Sequence, residues 1–381
     1  MRYLLADRVF DGDRFSSESV VCVDGKRIHG IIPASDIPSE VNCEHYSGTL
    51  APGFIDAQVN GGGGIMFNNA PTAETLRQIS LGHRLAGTTG LMPTIISDTP
   101  ETQRAAANAV SEARTSDCPG ILGIHIEGPF FDPDRRGTHK ADMIRKMDAE
   151  DLAWLASLND YPVVVTLAPE HTAPGDVAVL SSAGINVCAG HTNASYEQIE
   201  TALNEGLRGF THLFNAMSPL TARAPGTVGA ALDSDTSWVG IIADGHHVHP
   251  ASIRIAQRSL PEGKLMLVSD SMSTVGTDDT SFELYGERIR LHAGKLVNAE
   301  GALAGSAIGM NDAIRYCHRE VGISLDECLR MASLYPAAFL KLEGQLGRIA
   351  PGYRADLVLF DDDINVSDSW VAGQHMSHPK R

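Results

Sequence analysis

The sequence predicts a parallel (β/α)8 barrel of the TIM type, with a small β-domain beside it. Eight apolar runs rich in β-branched residues recur between residues 50 and 270, and helix-like segments fill most of the gaps between them. Runs that are apolar throughout suit strands that are covered on both faces, as they are in parallel sheets. Eight such strands alternating with helices are typical of a closed barrel.

The elements follow this pattern in chain order. Residues 1–49 read as short strands with a hairpin signal at Asp24-Gly25. The barrel strands are predicted at 50–56, 88–95, 120–127, 162–170, 184–191, 209–213, 238–245 and 264–270. Helices are predicted at 73–87, 101–114, 195–206 and 251–260, and more hairpin-like strands at 281–305. Helical segments at 311–322 and 324–340 precede short strands at 346–361. The predicted domains are a barrel, 50–344, and a small β-sandwich that joins 1–49 to 345–381.

Composition narrows the class of protein. The chain has 381 residues, of which 43% are hydrophobic and 20% charged, and a formal net charge of −17. Such an acidic chain is not expected to bind nucleic acid or an anionic membrane non-specifically. We find neither a membrane-length apolar run nor a signal peptide at the N-terminus. The six cysteines form no C-x-x-C pair, which favours reduced thiols in a cytoplasmic protein.

Polar residues mark the carboxyl ends of the predicted strands, where barrel enzymes place their active sites. They are Gln58, Asn60, Glu127, His191, His212, Asp244 and Asp270. One carboxylate and two imidazoles on three strands, Glu127, His191 and His212, form a plausible ligand set for a catalytic metal with an open position for water. Zinc suits this set best, and ferrous iron or manganese would be tolerated. Asp270 is then a candidate general base.

A simpler interpretation exists for each of these residues. A single histidine at a strand end is often only a hydrogen-bonded polar residue, and an aspartate after a strand is often a helix N-cap. The joint pattern favours the metal site, because the ligand-type residues and the additional carboxylate all fall at one end of the barrel. His125, two residues before Glu127, is expected to be structural.

The motifs also resemble a known family. PGFID, the strand-end histidines and GRIAPGYRADLVLF resemble the metal-dependent amidohydrolase superfamily. More closely, QVNGGGG, HIEGPFF, GTHK, LAPE, AGHTNAS, THLFNAM, ARAPGTVGA, IIADGHHV and MASLYPA resemble the N-acetylglucosamine-6-phosphate deacetylases, in order over almost the whole chain. The resemblance implies a barrel with a β-sandwich built from both termini, usually in a homodimer. The implied activity is hydrolysis of the acetamide of N-acetylglucosamine 6-phosphate to glucosamine 6-phosphate and acetate.

The resemblance also implies residue roles. Glu127, His191 and His212 would bind the metal, Asp270 would be the acid/base, and His139 would lie near the acetyl carbonyl. Arg223 and His247 would meet the phosphate, with His247 reaching into the partner subunit's site. The remaining implied substrate contacts are Thr138, Asn215, Ala216, Leu303, Ala304 and Gly305.

Gln58-Val59-Asn60 stands where most of the superfamily has His-x-His. Some members with Gln-x-Asn keep a single metal, and a carboxamide oxygen is only a weak ligand for a second zinc ion. We therefore expect one divalent metal per chain, with zinc as the first choice and iron, manganese or cobalt as alternatives. Gln58 and Asn60 would support the site through hydrogen bonds, although they could simply satisfy the strand end.

Three other functions remain open from the sequence. The nearest is the same reaction on N-acetylgalactosamine 6-phosphate. Another amidohydrolase activity, such as cyclic-amide hydrolysis or deamination, is disfavoured because His-x-His is absent. A non-catalytic barrel that binds sugar phosphate is disfavoured by the intact set of ligand residues and Asp270.

Overall fold

The computed structural model describes residues 1–37, 40–116, 118 and 120–379. Its centre is a sheet of eight strands that pair in sequence order, each parallel to its neighbour. The barrel strands, first to eighth, are Phe54–Val59, Thr88–Ile96, Ile124–Glu127, Val163–Leu167, Asn186–Ala189, Gly209–Phe210, Trp238–Ile242 and Leu265–Val268. The Asp270 N–H donates to the Gln58 carbonyl at 3.0 Å, and the Asn60 N–H donates to the Ser271 carbonyl at 2.9 Å. These bonds join the eighth strand to the first, and the predicted barrel is confirmed.

Helices surround the barrel and supply much of its apolar packing. The helices are Ala73–Arg84, Pro100–Thr115, Ala149–Ser157, Asp176–Ser182, Tyr196–Asn204, Gly226–Asp233, Pro250–Ser259, Met310–Tyr316, Leu325–Ala332 and Leu334–Phe339. Short 3₁₀ turns occur at Ala34–Asp36, Pro133–Arg135, Ala141–Met143 and Pro169–His171, and a π-helical turn at Cys317–Val321. Side-chain caps fix several helix starts; the Ser195 hydroxyl, for example, accepts the Gln198 N–H while the Gln198 side chain accepts the Ser195 N–H. No helix in the described ranges is both long and apolar enough to cross a membrane.

The two chain ends form one small β-domain, as the sequence predicts. Along its sheet the strands are Gln374–Ser377, Val366–Val371, Leu357–Phe360, Glu44–Pro52, Arg2–Phe10, Ser19–Asp24 and Arg27–Pro33, with Phe15–Ser16 beside Arg2–Phe10. Residues from both chain ends, including Leu4, Leu50, Leu357 and Trp370, share an apolar core separate from that of the barrel. The predicted domain boundaries themselves stay a prediction.

The prediction of a first barrel strand at 50–56 was wrong in its first part. Residues 50–52 complete the strand Glu44–Pro52 of the small β-domain, and the barrel strand begins at Phe54. The chain passes between the two sheets at Gly53, where an added Cβ would lie 2.0 Å from the Thr89 hydroxyl oxygen. Glycine, which has no Cβ, allows this close approach at the point where the chain changes sheet.

The segment 281–305 forms an antiparallel sheet over one side of the barrel mouth. Its strands are Ser281–Leu284, Glu287–His292 and Lys295–Val297. Leu284, Ile289 and Leu296 pack with Ile96 and Met272 in a third apolar cluster. The Tyr285 hydroxyl donates to the Ser97 carbonyl at 2.6 Å, just beyond the second barrel strand. This sheet is therefore fixed to a loop that forms part of the site. A further short pair, Gly61–Gly62 and Ile65–Met66, follows the first barrel strand.

Candidate active site

Strand-end residues converge at the carboxyl end of the barrel. His191, His212 and Asp270 each lie two residues beyond a barrel strand, and each has a positive φ, of 50°, 37° and 51°. This left-handed conformation is uncommon outside glycine and costs free energy, so the surrounding structure must hold it in place. In all three cases the turn brings a functional side chain to the same small volume.

Glu127, His191 and His212, the residues that the sequence predicts as metal ligands, meet at one point. Glu127 Oε1 lies 3.3 Å from His191 Nε2 and 3.2 Å from His212 Nε2, and the two Nε2 atoms are 3.0 Å apart. All three side chains are buried. Burial opposes ionisation of Glu127, but the adjacent imidazoles of His191 and His212 hold its pKa well below the usual range. Three converging O and N donors are the ligand chemistry of a divalent metal with an open position.

The tautomer of His191 also suits a metal ligand. Its Nδ1 lies 2.8 Å from the Arg135 carbonyl oxygen, which can only accept a hydrogen bond. The proton of neutral His191 is therefore on Nδ1, and Nε2 offers a lone pair to the site. Such a bond to a backbone carbonyl fixes both the tautomer and the orientation of a ligating histidine.

His139 has the opposite tautomer, although one of its ring nitrogens lies within 4.8 Å of ligand-type atoms of Glu127 and His191. The Ser97 N–H donates to His139 Nδ1 at 3.3 Å, and the Ser97 hydroxyl lies 2.7 Å from the same atom. Because Nδ1 accepts, the proton of neutral His139 is on Nε2. Burial and the nearby His191 imidazole hold the pKa of His139 well below its usual range. His139 is thus a neutral hydrogen-bond donor, the chemistry expected of a group that faces a carbonyl oxygen.

Asp270 is held by the two amides that the sequence places on the first strand. Gln58 Nε2 and Asn60 Nδ2 donate to Asp270 Oδ1 at 3.1 and 2.7 Å. Gln58 Nε2 also lies 3.2 and 3.1 Å from the two oxygens of Glu127. Burial, together with the Glu127 carboxylate, raises the pKa of Asp270 to about 6. The amides thus act on carboxylates as hydrogen-bond donors.

A cavity of about 180 Å³ contains these groups. Besides the predicted metal ligands, His139 and Asp270, the lining includes seven other residues that the sequence analysis assigned to the site. They are Asn60, Thr138, Asn215, Ala216, His247, Leu303 and Gly305. His247 therefore lies in this chain's own cavity, where its Nδ1 is 2.6 Å from Asp244 Oδ2. Ala304 is fully buried behind the lining. Arg223 is exposed and, among the described residues, is not part of the lining.

The sequence analysis did not identify several residues that shape the site. The Phe131 ring stacks on His191, with centroids 4.3 Å apart, and meets His139 edge-on. Ser97 and the Arg135 carbonyl set the tautomers of His139 and His191. Phe131 is the last residue of HIEGPFF, and Arg135 lies between that motif and GTHK, but neither motif indicates which backbone atoms meet a ring. His125 lies below the site, with its two ring nitrogens 3.1 and 2.7 Å from the Thr94 and Thr166 hydroxyls.

Comparison with known proteins agrees with this geometry. Residues 49–376 match the amidohydrolase family. The chain therefore belongs to the amidohydrolase family, and it is a hydrolase that acts on an amide.

Within that family, similar proteins deacetylate amino sugar phosphates. The chain is 45% identical to the N-acetylgalactosamine-6-phosphate deacetylase of Shewanella sp. (strain ANA-3), over 87% of this chain and 84% of that protein. It is 34% identical to the N-acetylglucosamine-6-phosphate deacetylase of Haemophilus influenzae, over 93% of each chain. The crystal structure of N-acetylglucosamine-6-phosphate deacetylase from Pasteurella multocida superposes with a TM-score of 0.95 at 34% identity, over 99% of this chain and 100% of that chain.

Proposed function

We propose that the protein hydrolyses the acetamide of N-acetyl-D-glucosamine 6-phosphate to D-glucosamine 6-phosphate and acetate. The proposal rests on one observation: a single cavity brings together Glu127, His191 and His212 and places Asp270 and His139 beside them. The similarity to enzymes named for this substrate and for its galactosamine counterpart supports the choice of sugar.

The residues present fit a divalent metal. A carboxylate and two imidazoles converge with their acceptor atoms 3.0–3.3 Å apart, and the His191 tautomer leaves Nε2 free to bind. Zinc suits an N₂O donor set best, and we propose one zinc ion held by Glu127, His191 and His212. When bound, such an ion acts as a Lewis acid and lowers the pKa of water.

Asp270 moves the proton in both halves of the reaction. Because its Oδ1 takes the two amide donors, Oδ2 is the oxygen that can receive a proton from the attacking water. The water oxygen then forms a bond to the acetyl carbon. The C–N bond breaks as Asp270 returns the proton to the departing amine, which leaves poorly without it. The products are acetate and the free amine.

His139 stabilises the charge that develops on the carbonyl oxygen. Its Nε2–H is aligned before substrate arrives, because Ser97 holds Nδ1 from behind and Tyr285 holds the Ser97 carbonyl. A donor that is already oriented costs little reorganisation during the reaction. The cavity also contains the backbone around Ala216 and Gly305, which suits contacts to a sugar.

One observation favours a second candidate substrate. The 45% identical relative is named for N-acetylgalactosamine 6-phosphate, whereas the relative at 34% identity is named for the gluco epimer. The two sugars differ only in configuration at C4, so the same acetamide chemistry applies to both. We therefore propose the galacto substrate as the alternative.

Acetate release from the two 6-phosphates, measured side by side with and without chelator, tests the proposal. We expect release from the gluco substrate, which chelator abolishes and zinc restores. A higher kcat/KM on the galacto substrate would establish the alternative. Absence of release from both would reject the proposed reaction. A homodimer is also proposed, and the mass in solution tests it; the cytoplasmic location stays a prediction.

A further inference from the structure

A second polar cluster, whose residues do not line the cavity, lies beside the two residues that follow His191. It consists of Asp132, Glu170 and His171, whose ligand-type atoms lie within 4.8 Å of one another. Asp132 follows the third barrel strand, and Glu170 and His171 follow the fourth. The residues are half-buried, and the proposed reaction uses none of them.

The hydrogen bonds of this cluster indicate a structural anchor in place of a second metal site. Glu170 Oε2 accepts the Thr192 hydroxyl at 2.6 Å, and Oε1 accepts the Asn193 N–H at 2.7 Å. Asp132 Oδ1 accepts the Asn193 side-chain amide at 2.9 Å. Protein donors already occupy these three oxygens, and all three donors belong to Thr192 and Asn193, the two residues immediately after His191.

Asn193 connects this anchor to the turn that orients His191. Its Oδ1 accepts from Arg135 Nε at 2.6 Å, while its Nδ2 donates to Asp132. The Arg135 carbonyl is the acceptor for His191 Nδ1–H, and the Asp132 N–H donates to the His191 carbonyl at 2.9 Å. The ring and the backbone of His191 are thus both held by the turn that Asn193 clamps.

Glu170 also supports the adjacent loop. The Thr192 N–H donates to the Ala216 carbonyl at 3.0 Å, and the Ser218 N–H donates to the Thr192 carbonyl at 3.0 Å. His191 and Ala216 both have φ of 50°. These unfavourable conformations require external support, and the Glu170 carboxylate provides it from one side.

We propose that Glu170 and Asn193 are positioning residues that hold His191 Nε2 toward the metal site. The inference rests on the proposed metal site formed by Glu127, His191 and His212. Removing one partner that orients a ligating histidine in this way lowers the metal affinity by about 10- to 100-fold.

The test is zinc affinity of the full-length protein, measured by competition with a chromophoric chelator. The variants are Glu170→Ala and Asn193→Ala, and Glu200→Ala, exposed on the following helix, is the matched control. We expect the first two to bind zinc about 10- to 100-fold more weakly than the parent. The control should match the parent. Glu170→Gln should recover most of the affinity, because its amide can still accept the Asn193 N–H and donate to the Thr192 hydroxyl.

Two further readouts separate positioning from general damage. The melting temperature of the metal-free protein should change little for Asn193→Ala, since Asn193 is exposed. Acetate release at saturating zinc should return close to the parent rate. If Glu170→Ala does not fold, Asn193→Ala carries the test alone.

Three results would overturn the inference. The first is a folded Asn193→Ala variant whose zinc affinity is within about twofold of the parent, because the inference requires a loss of at least about tenfold. Another is two zinc ions per parent chain with one lost in Glu170→Ala, which would make the cluster a metal site. A parent that binds no zinc would reject the proposed metal site, and this inference with it.

Discussion

Replacing Asp270 by asparagine changes the proposed proton carrier and almost nothing else in the site. In the parent, Asp270 Oδ1 accepts Gln58 Nε2–H at 3.1 Å and Asn60 Nδ2–H at 2.7 Å. The carboxamide oxygen of asparagine can take both bonds in the same place. Its Nδ2 then occupies the position of Oδ2, where it cannot accept a proton from water.

The two consequences differ greatly in size. A positioned acid/base group contributes about 10²- to 10⁴-fold to rate, which corresponds to about 3–5.5 kcal/mol of activation free energy. For stability, each of the two hydrogen bonds loses about 1 kcal/mol because its acceptor is no longer charged. Relief of the cost of burying the carboxylate offsets part of that loss. We therefore expect a fall in kcat of about 10²- to 10⁴-fold, with little change in the free energy of unfolding.

The assay is acetate release at saturating substrate, together with zinc content per chain. Asp278→Asn is the matched control, because Asp278 is exposed on the loop after the same strand and should leave the rate unchanged. An Asp270→Asn variant that keeps its zinc and retains activity within about tenfold of the parent would refute the reasoning. Loss of activity together with loss of zinc would show that Asp270 is a metal ligand.

Three other changes have defined outcomes. Arg223→Ala should lower kcat/KM on the 6-phosphate by about 10- to 150-fold, because a charge-assisted contact to the phosphate is lost. Turnover of the unphosphorylated sugar should stay unchanged, and equal losses on the two substrates would exclude a phosphate role for Arg223. The double variant Gln58→His, Asn60→His should raise tightly bound zinc from about one toward two ions per chain; a count of one in the folded variant would show that the amides do not exclude a second ion. Gly62→Ala should destabilise the fold by about 1–3 kcal/mol, because the new Cβ would lie 2.7 Å from the buried His83 ring; an unchanged denaturation midpoint would contradict this.

The sequence predicted the parts of the site that depend on strand ends. In a parallel barrel every strand carries its last residues to the same rim, so the order of strands and their polar ends was enough to group Glu127, His191, His212 and Asp270. It could not predict the change of sheet at Gly53. That change depends on contact with Thr89, which is remote in sequence from the strand it interrupts.

The tautomers are a second feature that the sequence could not supply. The resemblance assigns different roles to His139 and His191, but the motifs around them do not show which ring nitrogen carries the proton. Ser97 donates to one ring, whereas the Arg135 carbonyl accepts from the other. Only the folded backbone decides that one histidine offers a lone pair and the other a proton.

The role of the two first-strand amides, Gln58 and Asn60, also depends on which groups donate and which accept hydrogen bonds. Glu127 is buried and Asp270 is half-buried, and the like charges of these two carboxylates oppose one another. A single Gln58 amide nitrogen lies within 3.2 Å of oxygens on both of them, and Asn60 adds a second donor to Asp270. A neutral amide can therefore hold these carboxylates together at a position where imidazoles would invite a second cation. Both amides donate to Asp270 Oδ1, so in the proposed reaction Oδ2 stays available to accept a proton and later release it.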